Sequence, residues 1–248
     1  MVEAADRPMP RTLSAETASA FLRMHDETGV GFVFEDSVTR LHGDAEGRVV
    51  GVVTRSGREI EADLVLIGIG IVPNVELAAV AGLEVANGIV VDEHLLTGDP
   101  LISAIGDCST HPSRFAQGVK LRFESVQNAI DQARSVAARL AGHPRPYASV
   151  PWFWSDQGKW KLQIAGLSTP YEKAVRRNGA REGQFSVFCF SGGKLTGVES
   201  VNSPADHMAA RKLFGGGAVL TAEEIESPSF DLRATALSAG SRVKALSD

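Results

Sequence analysis

The chain has 248 residues, 44% of them apolar, and a formal net charge of -5 with both signs interspersed; that is enough for one large or two ordinary domains and excludes wholesale disorder and a nucleic-acid or membrane-surface footprint. Cys108 and Cys189 lie far apart, so there is no disulfide framework and no C-x-x-C, which suits a reducing cytoplasm. The longest apolar run, residues 64–73, is too short to cross a membrane, and residues 1–10 carry acids and prolines where a secretory signal would be apolar.

Ser14 reads as an N-cap for a helix running to about Glu27, with Ala18, Phe21 and Leu22 on one face and Gly29 ending it. Residues 30–35 read as a short strand. Strands follow at 38–42 and 48–54, joined by Gly43-Asp44-Ala45-Glu46-Gly47, and Ser56-Gly57 turns into 59–62. Leu64-Val65-Leu66-Ile67 is a continuous apolar run, the pattern of a strand covered on both faces. A short helix is expected after Pro73-Asn74, a hairpin turn at Asn87-Gly88, and a second buried strand from Leu101 to Ile105.

The strongest helical pattern spans Ser125 to Leu140, where Val126, Ala129, Ile130, Ala133, Val136, Ala137 and Leu140 form a stripe; Gly142 and Pro144 stop it. Residues 143–151 carry three prolines and read as a linker, and all three tryptophans follow at 152, 154 and 160. Residues 159–202 are strand-rich, Ser203-Pro204 opens a helix that ends at Gly215-Gly216-Gly217, and the tail after Ser227 is poor in large apolar residues and is expected to fray. The coarse reading is α/β to about residue 147 and α+β after it.

Common site motifs are absent: there is no G-x-G-x-x-G, no P-loop and no metal-spaced His/Cys cluster, and the six histidines are scattered. The chemistry must then sit at element ends. Gly106-Asp107 closes an expected buried strand, at the sheet edge where α/β proteins bind ligands; the glycine permits close approach and the carboxylate can accept hydrogen bonds from sugar hydroxyls. The same pair also reads as a turn aspartate capping a loop. Glu124, Ser125 and Val126 open the long helix, whose N-terminal N–H groups suit a carbonyl oxygen gaining negative charge, while Ser125 equally reads as a plain cap. Trp154, in the Pro151-Trp152-Phe153-Trp154 stretch, is a candidate lid for a flat ring system or simply core.

Several segments together resemble the ferredoxin/rubredoxin reductases, FAD flavoproteins that serve as reductase components of bacterial oxygenase and P450 systems. They are Gly68-Ile69-Gly70-Ile71-Val72-Pro73-Asn74, Ala104-Ile105-Gly106-Asp107-Cys108, Glu124-Ser125-Val126-Gln127-Asn128-Ala129 and Val150-Pro151-Trp152-Phe153-Trp154-Ser155-Asp156-Gln157; Trp-Phe-Trp-Ser-Asp-Gln is the most specific. The likeness extends to about residue 215. It implies partial nucleotide-binding domains of glutathione-reductase-like α/β fold followed by an α+β C-terminal reductase domain: residues 1–92 as the remainder of an NAD-binding domain, 93–147 as the return segment of a FAD-binding domain, and 148–248 as the C-terminal domain.

The resemblance further implies FAD and NAD as cofactors and NADH and a ferredoxin-type iron–sulfur protein as partners, with no nucleic acid or membrane. Asp107, with Gly106, would hold the ribityl chain. Glu124, Ser125 and Val126 would meet the isoalloxazine, and Trp154 would sit beside it. Glu3 would hold the adenosine ribose, and Gly68, Ile69 and Gly70 would complete the NAD wall. No residue is assigned as catalytic, because the flavin carries the chemistry. Gly158 and Ser203 depart from the family pattern, which usually has an aromatic and an arginine there. The FAD-binding βαβ unit and the NAD glycine-rich turn are missing, so the sequence reads as the C-terminal part of such an enzyme. A second reading stays open: a non-catalytic remnant acting at most as a binding or assembly module.

Overall fold

The structure, a computed structural model, describes residues 1–116 and 118–245, with 239–245 described through the backbone alone. Two compact units divide the chain, Met1–Ile71 and a larger one from Val72 onward.

In the first unit, helix α1 (Ala15–Glu27) starts where expected. The buried Ser14 hydroxyl accepts the Thr17 N–H, a cap worth about 1 kcal/mol. Ala18, Phe21 and Met24 turn inward, while Leu22 is only half-buried. Strands β1 (Val38–Gly43), β2 (Val49–Thr54) and β3 (Glu59–Glu61) form an antiparallel sheet in that order. Buried Asp36 ties the sheet's second turn to its first strand. Its carboxylate accepts from the Ser56 hydroxyl at 2.6 Å, the Ser56 N–H at 3.2 Å and the Ser37 N–H at 2.8 Å. The Ser56 and Thr54 hydroxyls, with these N–H groups, hold the Asp36 carboxyl well below the usual carboxylate range.

Two expected strands do not form in this unit. Residues 30–35 make a single parallel bridge, Val2 to Val33, where the Glu3 N–H donates to the Val33 carbonyl. The run Leu64–Ile67 has no ladder partner among the described residues and is exposed, Leu66 at 95%. An apolar run becomes a strand only where a neighbouring strand takes its N–H and C=O groups.

The second unit begins with α2 (Glu76–Val80) and a small sheet of β4 (Ile89–Val90), β5 (Ser109–Pro112) and β6 (Lys120–Leu121), β4–β5 parallel and β5–β6 antiparallel. Asn87 and Gly88 take left-handed conformations at the expected turn, which a single antiparallel bridge, Val85 to Ile89, closes. The expected strand 101–105 reduces to one bridge, Leu96 to Ser103, and Leu101 is 92% exposed. Gly106 and Asp107 therefore lie in a 3-10 turn that precedes β5, not at the end of a buried strand.

Helix α3 (Val126–Leu140) has the expected limits, but its buried residues are Asn128 and Gln132. The apolar stripe is divided: Val136 packs against Val91, Leu95 and Ala104, while Val126, Ile130 and Leu140 are exposed. Gln132 turns inward to satisfy buried groups of the 106–111 segment, and Asn128 to accept from the Tyr147 hydroxyl and donate to the Phe123 carbonyl.

The rest of the unit is an antiparallel sheet with helices on one face. Strands β7 (Trp152–Gln157), β8 (Trp160–Gly166), β9 (Lys173–Asn178), β10 (Phe185–Ser191) and β11 (Lys194–Val201) pair in the order β7-β8-β11-β10-β9. Gly158 sits in the two-residue β7–β8 turn with φ +58°, a conformation that favours glycine over a bulky aromatic. Phe188, Phe190 and Val198 pack against α4 (Pro204–Gly215), α5 (Ala222–Glu226) and α6 (Leu232–Ala245) through Ala210, Leu213, Ile225 and Leu232. The tail thus does not fray up to residue 245. Asp231 caps α6 by accepting the N–H groups of Arg233 at 2.8 Å and Ala234 at 3.1 Å, and burial of Leu232 and Ala236 anchors it.

Candidate functional site

The turn at Gly106–Cys108 is built by one left-handed residue. Gly106 has φ +76°, is buried, and lies against the first turns of α3, where an added Cβ would meet Ala129 at 3.6 Å. The reversal leaves Asp107 exposed, with no side-chain hydrogen bond or ion pair to another described residue. An exposed carboxylate on a turn whose backbone is held can accept donors from outside the chain.

Polar groups behind the turn are matched within a buried network. Gln132 Oε1 accepts the Gly106 N–H at 2.6 Å and the Ser109 hydroxyl at 3.1 Å, and Gln132 Nε2 lies 3.1 Å from His111 Nδ1. Burial pushes the His111 pKa down, which keeps the ring neutral at neutral pH. Tyr147 packs edge-on against His111 and donates to Asn128 Oδ1 at 3.1 Å. Burial, followed by the charge of Asp131, pushes the Tyr147 phenol up to about 12.

At the start of α3, the Ser125 hydroxyl accepts the Asn128 N–H at 3.1 Å and so caps the helix. Glu124 pairs with Arg122 at 2.8 Å, and Arg122 also donates to the Asp107 carbonyl at 3.0 Å. Gly106, Asp107, Glu124, Ser125 and Val126 are therefore brought into one neighbourhood. Val126 is 61% exposed at its edge. Trp154 is 40% exposed on β7, and α3 approaches that strand. Trp154 lies 5.4 Å from Trp152, ring to ring, and Arg211 covers Trp152 at 4.4 Å.

Glu3, Gly68, Ile69 and Gly70 belong to the other unit. Glu3 is half-buried, with Oε1 accepting the Ala5 N–H at 3.0 Å. Gly68–Gly70 continues the unpaired run, with Ile69 91% exposed and Gly70 at φ +103°.

Gln132 and His111 were missed by sequence reasoning. The signal was present: Asn128 and Gln132 are polar residues four apart on a helix otherwise read by its apolar stripe.

Comparison with known proteins bears on most of the chain. A family model described as pyridine nucleotide-disulphide oxidoreductase matches residues 1–133, and one described as reductase C-terminal matches residues 152–236. The chain belongs to the pyridine nucleotide-disulphide oxidoreductase family. Rhodocoxin reductase of Rhodococcus erythropolis is 54% identical over 213 residues, 86% of this chain and 49% of that protein. Putidaredoxin reductase of Pseudomonas putida is 37% identical over 215 residues, 86% of this chain and 50% of that protein. Among solved structures, the ferredoxin reductase for the CYP199A2 system of Rhodopseudomonas palustris superimposes with a TM-score of 0.90 at 47% identity, covering 95% of this chain and 58% of the other. The covalent putidaredoxin reductase–putidaredoxin complex gives 0.89 at 34% identity, covering 97% and 57%. The chain spans about half the length of the curated relatives it matches. Its fold is thus that of this oxidoreductase family, nucleotide-binding α/β portions followed by an α+β reductase domain.

Among the described residues no cluster of His, Cys, Asp or Glu is placed to hold a metal ion, and no helix is long and apolar enough to cross a membrane.

Proposed function

We propose that this chain contributes to a flavoprotein oxidoreductase that passes electrons from NADH through FAD to a ferredoxin-type iron–sulfur protein. The observation that carries the reading is the Asp107 turn: a fixed backbone, a carboxylate without a partner among the described residues, and the N-terminus of α3 beside it. These residues fit a flavin. Asp107 would accept from ribityl hydroxyls. The first N–H groups of α3, near Glu124, Ser125 and Val126, would face the ring's carbonyl edge, and Trp154 would flank the ring. When bound, FAD supplies hydride acceptance from the nicotinamide and release of single electrons. Glu3 and Gly68–Gly70 would contact NADH. Residues 1–92, 93–147 and 148–248 would correspond to the NAD portion, the FAD return segment and the C-terminal domain.

A groove of about 830 Å³ in the second unit supports the partner assignment. Arg211, Lys212 and Arg233 line it beside exposed Met208 and Leu237, with Asp131 as its acidic member. Arg211 connects the groove to Trp152 and Trp154 by ring contact. A basic rim around an apolar floor suits an acidic electron-carrying protein. Cys108 and Cys189, neither of them in a disulfide, fit the reducing cytoplasm as its location.

Titration of the chain with FAD, followed by flavin fluorescence, tests the reading. Asp107→Ala is expected to weaken binding about tenfold, the worth of a hydrogen bond to a charged group. Equal affinity of the two proteins would remove Asp107 from the site.

The reading as a binding or assembly module draws on the exposed apolar runs at Leu64–Val72 and along α3. The sequence also has no glycine-rich pyrophosphate turn. NADH oxidation by this chain with FAD and ferricyanide is accordingly expected not to exceed that of free flavin. Rapid turnover in that assay would discard the module reading.

A further inference from the structure

Asp107 is exposed, so burial does not hold its carboxylate in place. Its turn is held through the backbone, from two directions. Gln132, wholly buried in α3, takes the Gly106 N–H at 2.6 Å. Arg122, whose side chain is only 8% exposed, donates from Nη1 to the Asp107 carbonyl at 3.0 Å.

Each clamp is itself fixed. Arg122 Nη2 pairs with Glu124 at 2.8 Å and Nε reaches Asn87 Oδ1 at 3.4 Å. The arginine stem runs beside Gly88, where an added Cβ would come within 3.1 Å of its Cδ. Gln132 cannot rotate freely, because its oxygen serves two donors, Gly106 and Ser109, and its NH2 group faces His111 Nδ1. That arrangement has Nδ1 accepting and the ring proton on Nε2.

We propose that Arg122 and Gln132 are positioning residues that set the direction of the Asp107 carboxylate toward the ribityl hydroxyls of the flavin. The proposal rests on the flavin reading of Asp107 given above. Neither side chain is assigned a contact with the flavin. They act by removing the conformational freedom that an exposed aspartate on a glycine turn would otherwise have, so that the freedom is not lost on binding.

The test uses the full chain, labelled with nitrogen-15, and FAD as the probe. Without FAD, Gln132→Leu and Arg122→Met are expected to speed amide exchange at Gly106 to Cys108 about tenfold, the worth of one hydrogen bond at 1.4 kcal/mol per decade. Protection of β10 and β11 should persist, which shows that the variants fold. Gln132→Glu keeps an acceptor oxygen and is expected to restore most of the protection. With FAD, Arg122→Met and Asp107→Asn should each weaken binding, and the double variant should bind no worse than Asp107→Asn alone, because one acts through the other.

Unchanged exchange at Gly106 to Cys108 overturns the clamp. Exchange that rises while the losses in FAD affinity simply add overturns the positioning role. If FAD leaves the signals of the turn unmoved in the unaltered chain, the flavin reading fails and the proposal falls with it, and the exchange data taken without FAD tell that failure apart from failure of the clamp.

Discussion

Lowering the pH from 7 to 4 is expected to cost the second unit about 3 kcal/mol through His207 alone. His207 lies in the first turns of α4, is 1% exposed, and neither ring nitrogen has a hydrogen-bond partner among the described residues. Its ring packs 5.3 Å from that of Trp152, and Arg211, one turn further along α4, covers the same indole. Burial, with the Arg211 charge second, pushes the His207 pKa from 6.5 down to about 4. As the pH falls below about 6.5 the unfolded chain takes up a proton that the folded chain refuses. The associated stability is therefore present above that value and is lost as the pH falls through the folded-state pKa of about 4. Urea unfolding at pH 7 and pH 4.5, for the unaltered chain and His207→Leu, checks this. The leucine variant should lose much less stability on acidification, since other titrating groups are common to both. An equal loss in the two proteins would mean that His207 accepts its proton in place.

Gly166→Ala is expected to destabilise the same unit by about 3 kcal/mol or more, combining left-handed strain with overpacking. Gly166 ends β8, pairs with Gly197 of β11 and has φ +76°. An added Cβ would run into the Thr196 carbonyl oxygen, with the Phe214 ring at 2.9 Å on the other side. The Thr196 carbonyl cannot simply retreat, because it accepts the Leu167 N–H at 2.7 Å. The Phe214 ring belongs to the core between sheet and helices. Gly192→Ala isolates the backbone share, because Gly192 is also left-handed, at φ +56°, but has open space around its Cβ position. Thermal unfolding of both variants should show a large loss at 166 and a loss of about 1–3 kcal/mol at 192. Similar losses at the two positions would show that the sheet yields around residue 166.

The sequence by itself determined the local features. The caps at Ser14 and Ser125, the strands read at 38–42 and 48–54, the glycine turns and the helix opening at Ser203-Pro204 follow from local residue chemistry, and the structure has them, with the strands at 38–43 and 49–54 and Pro204 rather than a Ser203 cap bond marking the last opening. Of the candidate site, the start of α3 was legible for the same reason, whereas Gly106-Asp107 read both as the end of a buried strand and as a loop turn, and the structure has the turn. Gly158 was noted as a departure, and its left-handed turn supplies the cause.

What only the tertiary structure decided is which polar groups find partners at a distance. Leu64–Ile67 and Leu101–Ile105 have strand-like sequences, yet a ladder needs a neighbouring strand: among the described residues the first has none and the second makes a single bridge, Ser103 to Leu96. The rotation of α3 was set by Gln132 reaching Gly106 and Ser109, because a buried N–H or hydroxyl left unmatched costs more than an exposed Ile130. The tail becomes α6 because Leu232 and Ala236 find the helices of the reductase domain to pack against, a gain invisible in a segment so poor in large apolar residues. Hydrophobic periodicity specifies that a face exists; the hydrogen-bond partners brought by the fold specify which way it turns.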